Sequence, residues 1–268
     1  TVSLTDLKPL EIYIEDIPQG KLVEYLMASA YFPLFKREKI DGKKYIDGGL
    51  YNNLPVNLLI NKGYKDLILV RTNALGIVKK VDLKELNTII ISPKEDLGKT
   101  LDFDGEIARY NLKLGYYDGL KALKGLKGTK YYLEPRNDED YFMDCLLDLG
   151  EEEILELGKT FKIDGAPSKR ILFEFIMPKI SNILGVEKES NYIDLFYCLL
   201  EKLAEIYEIE RFTIYTYDEL LNLIKEKLKM ERDKDLGIID KIIEKVDILS
   251  IFTKEETIKE IGRIILDK

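Results

Sequence analysis

The stretch that decides the fold runs from residue 28 to residue 55 and reads ASAYFPLFKREKIDGKKYIDGGLYNNLP. Apolar residues at helical spacing precede it, and they predict a helix over residues 22–30 that Pro33 brings to an end. The letters KKYIDGG (43–49) then predict a short strand that runs directly into a glycine turn. The block therefore predicts a helix, a strand and a sharp turn in close succession.

The neighbouring residues continue this alternation of helix and strand. NNLPVNLLINKG (52–63) predicts a helix, with Asn52 or Asn53 as its cap and Pro55 in its first turn. Three further stretches are typical of strands: LEIYIED (10–16), KDLILVRT (65–72) and NTIIISP (87–93). Short strands that alternate with helices favour a parallel sheet covered by helices. The first half of the chain is thus predicted to be α/β.

The second half reads as a series of amphipathic helices. Thr216 and Thr253 are predicted N-caps, since acidic residues follow each of them in the first turn. The clearest apolar periodicity at helical spacing lies in three stretches: residues 192–209, 216–230 and 236–249. We therefore predict a partial three-layer α/β/α domain over residues 1–136 and an all-helical domain over residues 137–268.

Composition excludes several classes of function. The 268 residues contain no histidine and two cysteines, so neither a Ser-His-Asp site nor a four-cysteine zinc site can be built from them. Cys145 and Cys198 lie in apolar-periodic stretches, which predicts buried helix residues in a reducing compartment. The net charge is −8, and its acidic excess lies in the second half, which argues against nucleic acid as a partner.

The residue with the clearest chemical potential is Asp47. It is predicted at the carboxyl end of a strand, where parallel α/β sheets bind their ligands. Gly48 and Gly49 allow a sharp turn there and leave room for another group to approach. A carboxylate in that position can act as a general base or accept a hydrogen bond from a nucleophile. The alternative is a plain turn, because Asp-Gly pairs commonly form turns.

The order of residues in the block resembles the patatin-like phospholipases. The matching positions are Ala28-Ser29, Pro33, Phe35, Asp41-Gly42, Tyr45, Asp47-Gly48-Gly49, Asn53 and Pro55. The resemblance extends over roughly residues 5–135, and it implies a lipid acyl hydrolase that works with a Ser-Asp dyad, without metal or cofactor. Asp47 corresponds to the dyad aspartate, which in this family activates a serine without any histidine.

The chain departs from this family in one respect. The family's nucleophile lies in a G-x-S-x-G turn before the aspartate, and none of the seven serines here stands in that pattern. Ser29 falls within the matching block, but a packing or capping role fits it better. We therefore expect the C-terminal part of a patatin-like domain that supplies only the aspartate and is inactive by itself. The alternative is a non-catalytic module, derived from such a half-domain, that binds a lipid surface or a partner.

These interpretations carry expectations about partners and location. The substrate is expected to be a lipid or phospholipid ester, and the protein is expected to contact membrane surfaces peripherally. No apolar run is long enough to span a membrane and no export signal is visible, so a cytoplasmic location is predicted. Because half of a sheet would expose apolar surface, we also expect the chain to pair with a missing N-terminal segment or to self-associate.

Overall fold

The computed structural model divides the chain into two compact units, Thr1–Asp118 and Gly119–Lys268. It describes residues 1–34, 38–99, 101, 103–136, 138, 140–163, 165–186, 190–239 and 253–266, with side chains left aside from 233 to 239. The predicted domain boundary after residue 136 lies inside the second unit, and the two-domain assignment itself stays a prediction.

The first unit combines short strands with helices. Its elements in chain order are β1 (Val2–Ser3), β2 (Lys8–Pro9), a 3-10 turn (Ile14–Asp16), α1 (Leu22–Ser29), β3 (Tyr45–Ile46), α2 (Gly49–Asn52), α3 (Val56–Asn61), β4 (Asp66–Val70), β5 (Asn87–Ile91) and α4 (Gly105–Lys124), whose last turns enter the second unit. β1 pairs antiparallel with both β2 and β3. β4 and β5 pair in parallel, with Ile68 opposite Ile89.

The strand predicted over residues 10–16 does not form. The pairing of β2 with β1 ends at Pro9, and after Leu10 donates its backbone N–H to Thr1 O at 2.9 Å the chain leaves the sheet. It then tightens into the 3-10 turn, in which the Asp16 N–H donates to Tyr13 O at 3.0 Å. The residues with the alternating apolar pattern therefore form a turn, because no strand among the described residues pairs with them.

The second unit is helical and encloses one continuous core. Its elements are β6 (Tyr132–Leu133), α5 (Tyr141–Leu147), α6 (Glu151–Thr160), α7 (Lys169–Ile171) with a π-helical continuation (Leu172–Ile176), α8 (Met177–Leu184), α9 (Tyr192–Ile206), β7 (Ile214–Tyr215), α10 (Tyr217–Ile239) and α11 (Lys254–Leu266). The core gathers fully buried side chains from α5, α6, α8, α9, α10 and α11. Gly262 of α11 lies so close to α9 that an added Cβ would stand 2.7 Å from Leu203 Cδ1.

Two predicted helix starts are confirmed in this unit. Thr216 Oγ1 accepts the Glu219 N–H at 3.2 Å, while Glu219 Oε2 accepts the Thr216 N–H at 2.8 Å. Thr253 and Glu256 repeat the same reciprocal pair, at 3.2 and 2.7 Å. Each Thr-x-x-Glu sequence thus satisfies two backbone donors and fixes the first turn of its helix. Part of the helix predicted over residues 236–249 lies outside the described residues.

The two units differ in how far they bury their apolar side chains. The second unit buries most of its large hydrophobic residues, whereas many of those in the first unit are exposed. On β4, Leu67 and Leu69 face a small cluster with Val56, but Ile68 and Val70 on the opposite face are more than half exposed. Parallel sheets are normally covered on both faces. One face of the β4–β5 sheet is therefore open.

The predicted fold class is confirmed, with two refinements. The strand that leads into Asp47, β3, was predicted in a parallel sheet, but it pairs antiparallel with β1, and the parallel pair β4–β5 forms a separate sheet. An α/β region is followed by a helical region, but the latter is not purely helical, because β7 pairs in parallel with β6. This ladder joins residues that are far apart in sequence, such as Tyr132 and Ile214. Among the described residues, no helix combines the length and the apolar character that crossing a membrane requires.

Candidate active site

The site is built where β3 ends, and its backbone is held by the end of α1. Asp47 follows Ile46 directly, and its N–H donates to Tyr31 O at 3.0 Å. The next N–H, that of Gly48, donates to Ser29 O at 3.1 Å. Ser29 and Tyr31 of the sequence block therefore serve the site through their backbone carbonyls, which fix the turn that carries the carboxylate.

The carboxylate of Asp47 is half-buried, and its two oxygens are in different situations. Oδ1 accepts the Gly49 N–H at 2.7 Å, which orients the side chain at the start of α2. No hydrogen bond reaches Oδ2 from any described residue. One oxygen thus holds the side chain in place while the other can accept a proton or a hydrogen bond.

Gly49 is required here by space. An added Cβ would stand 3.1 Å from Asp47 Oδ1 and 3.1 Å from Asn53 Oδ1, which is closer than most side chains tolerate. The φ angles of Gly48 and Gly49 are not positive, so close approach is the reason for glycine at position 49. Glycine is thus used at this turn, as the sequence predicted, because the side chains of Asp47 and Asn53 leave no room for a Cβ at position 49.

A loop clamps the far side of the turn. The Asn53 N–H donates to Ile77 O at 2.7 Å, and the Ile77 N–H donates to Gly49 O at 2.9 Å. An added Cβ at Gly76 would stand 2.9 Å from the Asn53 side chain. These two backbone hydrogen bonds fix the helical turn that begins next to Asp47.

An apolar cleft of about 230 Å³ opens beside Gly48. Its apolar walls come from Leu10, Ile12, Ile17, Leu26, Pro55 and Leu58. Ser29, Tyr51 and Asn52 contribute polar side chains to the same cleft. Its volume is below the range of about 300–1,000 Å³ that is usual for a small-molecule pocket.

Asn52 is a site residue that the sequence predicted only as a helix cap, and this cap assignment is wrong. No side chain caps α3, which starts after Pro55, and Asn52 itself closes α2. Its side chain is only 7% exposed, and its Nδ2 donates to Asn57 Oδ1 at 2.9 Å. Its Oδ1 is buried without a donor among the described residues. In the sequence it stands between Tyr51 and Asn53, and nothing there indicates that its side chain is buried.

Two other residues of the sequence block give no further chemical group to the site as described. Ser29 Oγ donates to Leu26 O at 2.7 Å within α1, so its hydroxyl serves the helix end, as the capping interpretation predicted. Phe35 lies outside the described residues. Among the cysteines, Cys145 and Cys198 are helix residues as predicted but only half-buried, and burial raises the pKa of Cys198 to about 11.

Comparison with known proteins supports the resemblance over part of the chain. Residues 4–60 match the model of the patatin-like phospholipase family. No curated protein and no solved structure matches the chain. The matched range contains β3, the Asp47 turn, α2 and most of the cleft wall, and it ends well before the limit near residue 135 that the sequence suggested. Residues 4–60 are therefore similar to part of a patatin-like phospholipase domain.

Proposed function

We propose that this protein is a lipid acyl hydrolase of the phospholipase A or lysophospholipase type, in which Asp47 is the aspartate of a Ser-Asp dyad. The observation that carries the proposal is the unoccupied Oδ2 of an otherwise fixed, half-buried carboxylate. The family match over residues 4–60 supports an ester-cleaving role on lipids. The cytoplasmic location remains a prediction.

The reaction follows from the chemistry of a serine next to a carboxylate. Serine Oγ attacks the ester carbonyl carbon, and its proton passes to Asp47 Oδ2. The tetrahedral intermediate then collapses, the alcohol leaves with that proton, and an acyl-serine remains. Water attacks the acyl group with Asp47 again as the base, which releases the fatty acid and restores the serine. No metal or organic cofactor is needed at any step.

We propose that the serine lies in polypeptide outside residues 1–268, since no G-x-S-x-G sequence occurs within them. The intact protein therefore means these residues together with the polypeptide that carries the serine. Its remaining part must also supply the donors that stabilise the oxyanion. Residues 1–268 alone are then expected to be inactive.

The test compares Asp47→Asn and Asp47→Ala with the wild type in the intact protein. General-base assistance is worth roughly 10²–10⁴ in rate, so both variants should lose at least a hundredfold in kcat on a chromogenic fatty acyl ester. Labelling by a fluorophosphonate, which reports an activated serine, should fall in parallel. Near wild-type turnover by Asp47→Asn would refute the dyad role.

The exposed apolar residues of the first unit favour one alternative, a non-catalytic module that binds lipid surfaces or a partner. Leu34, Leu75 and Phe103 each have at least four-fifths of their surface exposed. Large exposed apolar patches commonly mark interaction surfaces. In this case phosphatidylcholine vesicles or a partner would bind residues 1–268, no serine would label, and Asp47→Asn would have no effect on binding.

A further inference from the structure

We infer that a second cleft of the first unit, which we call the Arg71 cleft, binds a phosphate group and that Arg71 selects it. The cleft has a volume of about 350 Å³ and is lined by the link between α2 and α3 and by the chain that leaves β4. The inference deepens the proposed function and rests on it in one respect: in the intact protein, the phosphate belongs to the lipid whose ester is cleaved.

The first argument is the place of Arg71 in the fold. Arg71 directly follows β4, and its N–H donates to Ile91 O at 2.8 Å, so the pairing with β5 continues to this point. Side chains alternate along a strand, and those of Leu67 and Leu69 face Val56. Arg71 therefore belongs to the same face, at the carboxyl end of β4. Ligands of parallel α/β sheets bind at that end.

The second argument is the charge at the cleft. Of the described residues that line it, Arg71 alone is charged. No described carboxylate forms an ion pair with Arg71, and the residue is exposed, so a ligand from solution can reach it. A guanidinium group presents a planar fork of N–H donors that matches pairs of phosphate oxygens. An unpaired arginine without acidic neighbours in the cleft favours an anionic ligand.

The third argument is a group of backbone donors beside Arg71. Four residues that line the cleft have N–H groups that donate to no described residue: Thr72, Asn73, Ala74 and Gly76. Asn73 ties this loop to the one after β5, because its Nδ2 donates to Pro93 O and its Oδ1 accepts from Ser92 Oγ, both at 3.4 Å. A phosphate ester presents more acceptor oxygens than a carboxylate does, so several donors around one cleft favour phosphate.

The fourth argument is the closeness of the cleft to Asp47. Asn53 lines the cleft, and its Oδ1 and Asp47 Oδ1 would each stand 3.1 Å from a Cβ at Gly49. Asn53 therefore stands between the carboxylate and the cleft. In a glycerophospholipid, the phosphate and the nearest acyl ester are attached to neighbouring glycerol carbons. An ester bound at Asp47 thus brings its phosphate to the Arg71 cleft.

The first experiment measures the binding of glycerol 3-phosphate to residues 1–268 by isothermal titration calorimetry. We expect the wild type to bind it and Arg71→Gln to bind at least tenfold more weakly, because charge-assisted hydrogen bonds are the strong ones. Arg71→Lys keeps the charge without the fork and should fall between them. The matched control is Arg109→Gln, which removes another exposed arginine of the first unit that does not line the cleft, and it should bind like the wild type.

The second experiment uses the intact protein and two substrates that differ only in the phosphate, dihexanoyl phosphatidic acid and dihexanoylglycerol. We expect Arg71→Gln to lower the ratio of kcat/KM for the phosphatidic acid to kcat/KM for the diacylglycerol at least tenfold, mainly through a higher KM for the phosphatidic acid. Arg109→Gln should keep the wild-type ratio.

The outcomes separate the inference from the proposed function. Equal binding of glycerol 3-phosphate by the wild type and Arg71→Gln, or no binding at all, overturns the inference whatever the activity. Displacement of glycerol 3-phosphate by an equal concentration of decanoate also overturns it, because the cleft then takes the carboxylate of a fatty acid. Binding that depends on Arg71, with an unchanged substrate ratio, retains the phosphate site and overturns its assignment to the lipid in favour of free phosphate. The same binding without any ester hydrolysis retains the site and overturns the hydrolase.

Discussion

Removal of the Glu201 side chain should destabilise the second unit more than any surface change on the same helix. Glu201 lies in α9 and is only 5% exposed. Its Oε1 accepts three consecutive backbone N–H groups, those of Thr129 at 2.6 Å, Lys130 at 2.8 Å and Tyr131 at 2.7 Å. One carboxylate oxygen therefore holds the loop that leads into β6.

The loss of stability depends on whether each of the three N–H groups can bind water once the carboxylate is removed. In Glu201→Ala the N–H groups of Thr129 and Lys130 can reach water, because both residues are exposed, but the N–H of Tyr131 stays buried. A buried unsatisfied donor costs about 1–3 kcal/mol, and a lost hydrogen bond to a charged group about 1.5–3 kcal/mol. Relief of the carboxylate's own burial offsets part of this, so we expect a net loss of about 2–4 kcal/mol.

Glu201→Gln separates hydrogen bonding from charge, since it keeps an acceptor of the same size. Burial raises the pKa of Glu201, although the three N–H donors oppose the shift. A raised pKa means that the folded state holds its proton to higher pH than the unfolded state. The wild type therefore loses stability as the pH rises from the unfolded value through the folded one, and Glu201→Gln should lack this loss.

The assay is urea unfolding followed by far-ultraviolet circular dichroism at pH 4 and pH 7.5. Glu205→Ala is the matched control on the same helix, because its ion pairs with Lys130 and Lys202 are partly exposed and should contribute less than about 1 kcal/mol. The expected loss in the free energy of unfolding is about 2–4 kcal/mol. If Glu201→Ala instead unfolds within about 0.5 kcal/mol of the wild type, the loop does not depend on the carboxylate.

Three other substitutions test the structure at separate places. Gly49→Ala should cut ester hydrolysis by the intact protein at least tenfold, because the methyl group displaces the Asp47 carboxylate; unchanged kcat would contradict this. Gly262→Ala should lower the free energy of unfolding by about 1–3 kcal/mol through its clash with Leu203, measured by urea unfolding; a stabilised protein would show that the helices can separate freely. The pKa of Glu231 is lowered, because hydrogen bonds from Lys259 of α11 and from Tyr207 outweigh the effect of burial. Its contribution to stability, about 1 kcal/mol, should therefore be present at pH 7 and lost on acidification. Glu231→Gln should show a flatter dependence of the free energy of unfolding on pH.

Local signals in the sequence accounted for the elements whose determinants lie close together along the chain. Thr216 and Thr253 predict their helix starts because each cap and its glutamate are three residues apart. The turn at Asp47 follows from the strand and the glycines beside it. The strength of these predictions is that the interacting groups belong to a single turn.

Features that depend on distant partners could not be predicted in this way. β7 pairs with β6 across most of the helical unit, and this two-residue strand does not stand out alone in the sequence. Glu201 occupies a polar position of an amphipathic helix, and its burial depends on a loop about seventy residues earlier. Asn52 is buried by the packing of α2 and α3 around the cleft, which the letters around it do not specify.

The open face of the β4–β5 sheet has a consequence for the heat capacity of unfolding. A well-packed domain gains about 12–15 cal/mol/K per residue when it unfolds, because water then orders around newly exposed apolar groups. Ile68 and Val70 already meet water in the native state, so unfolding adds little at this face. Calorimetry of residues 1–268 should therefore show a heat-capacity increment that comes mainly from the helical unit. A further increment from the first unit should emerge only once the bare strands are covered.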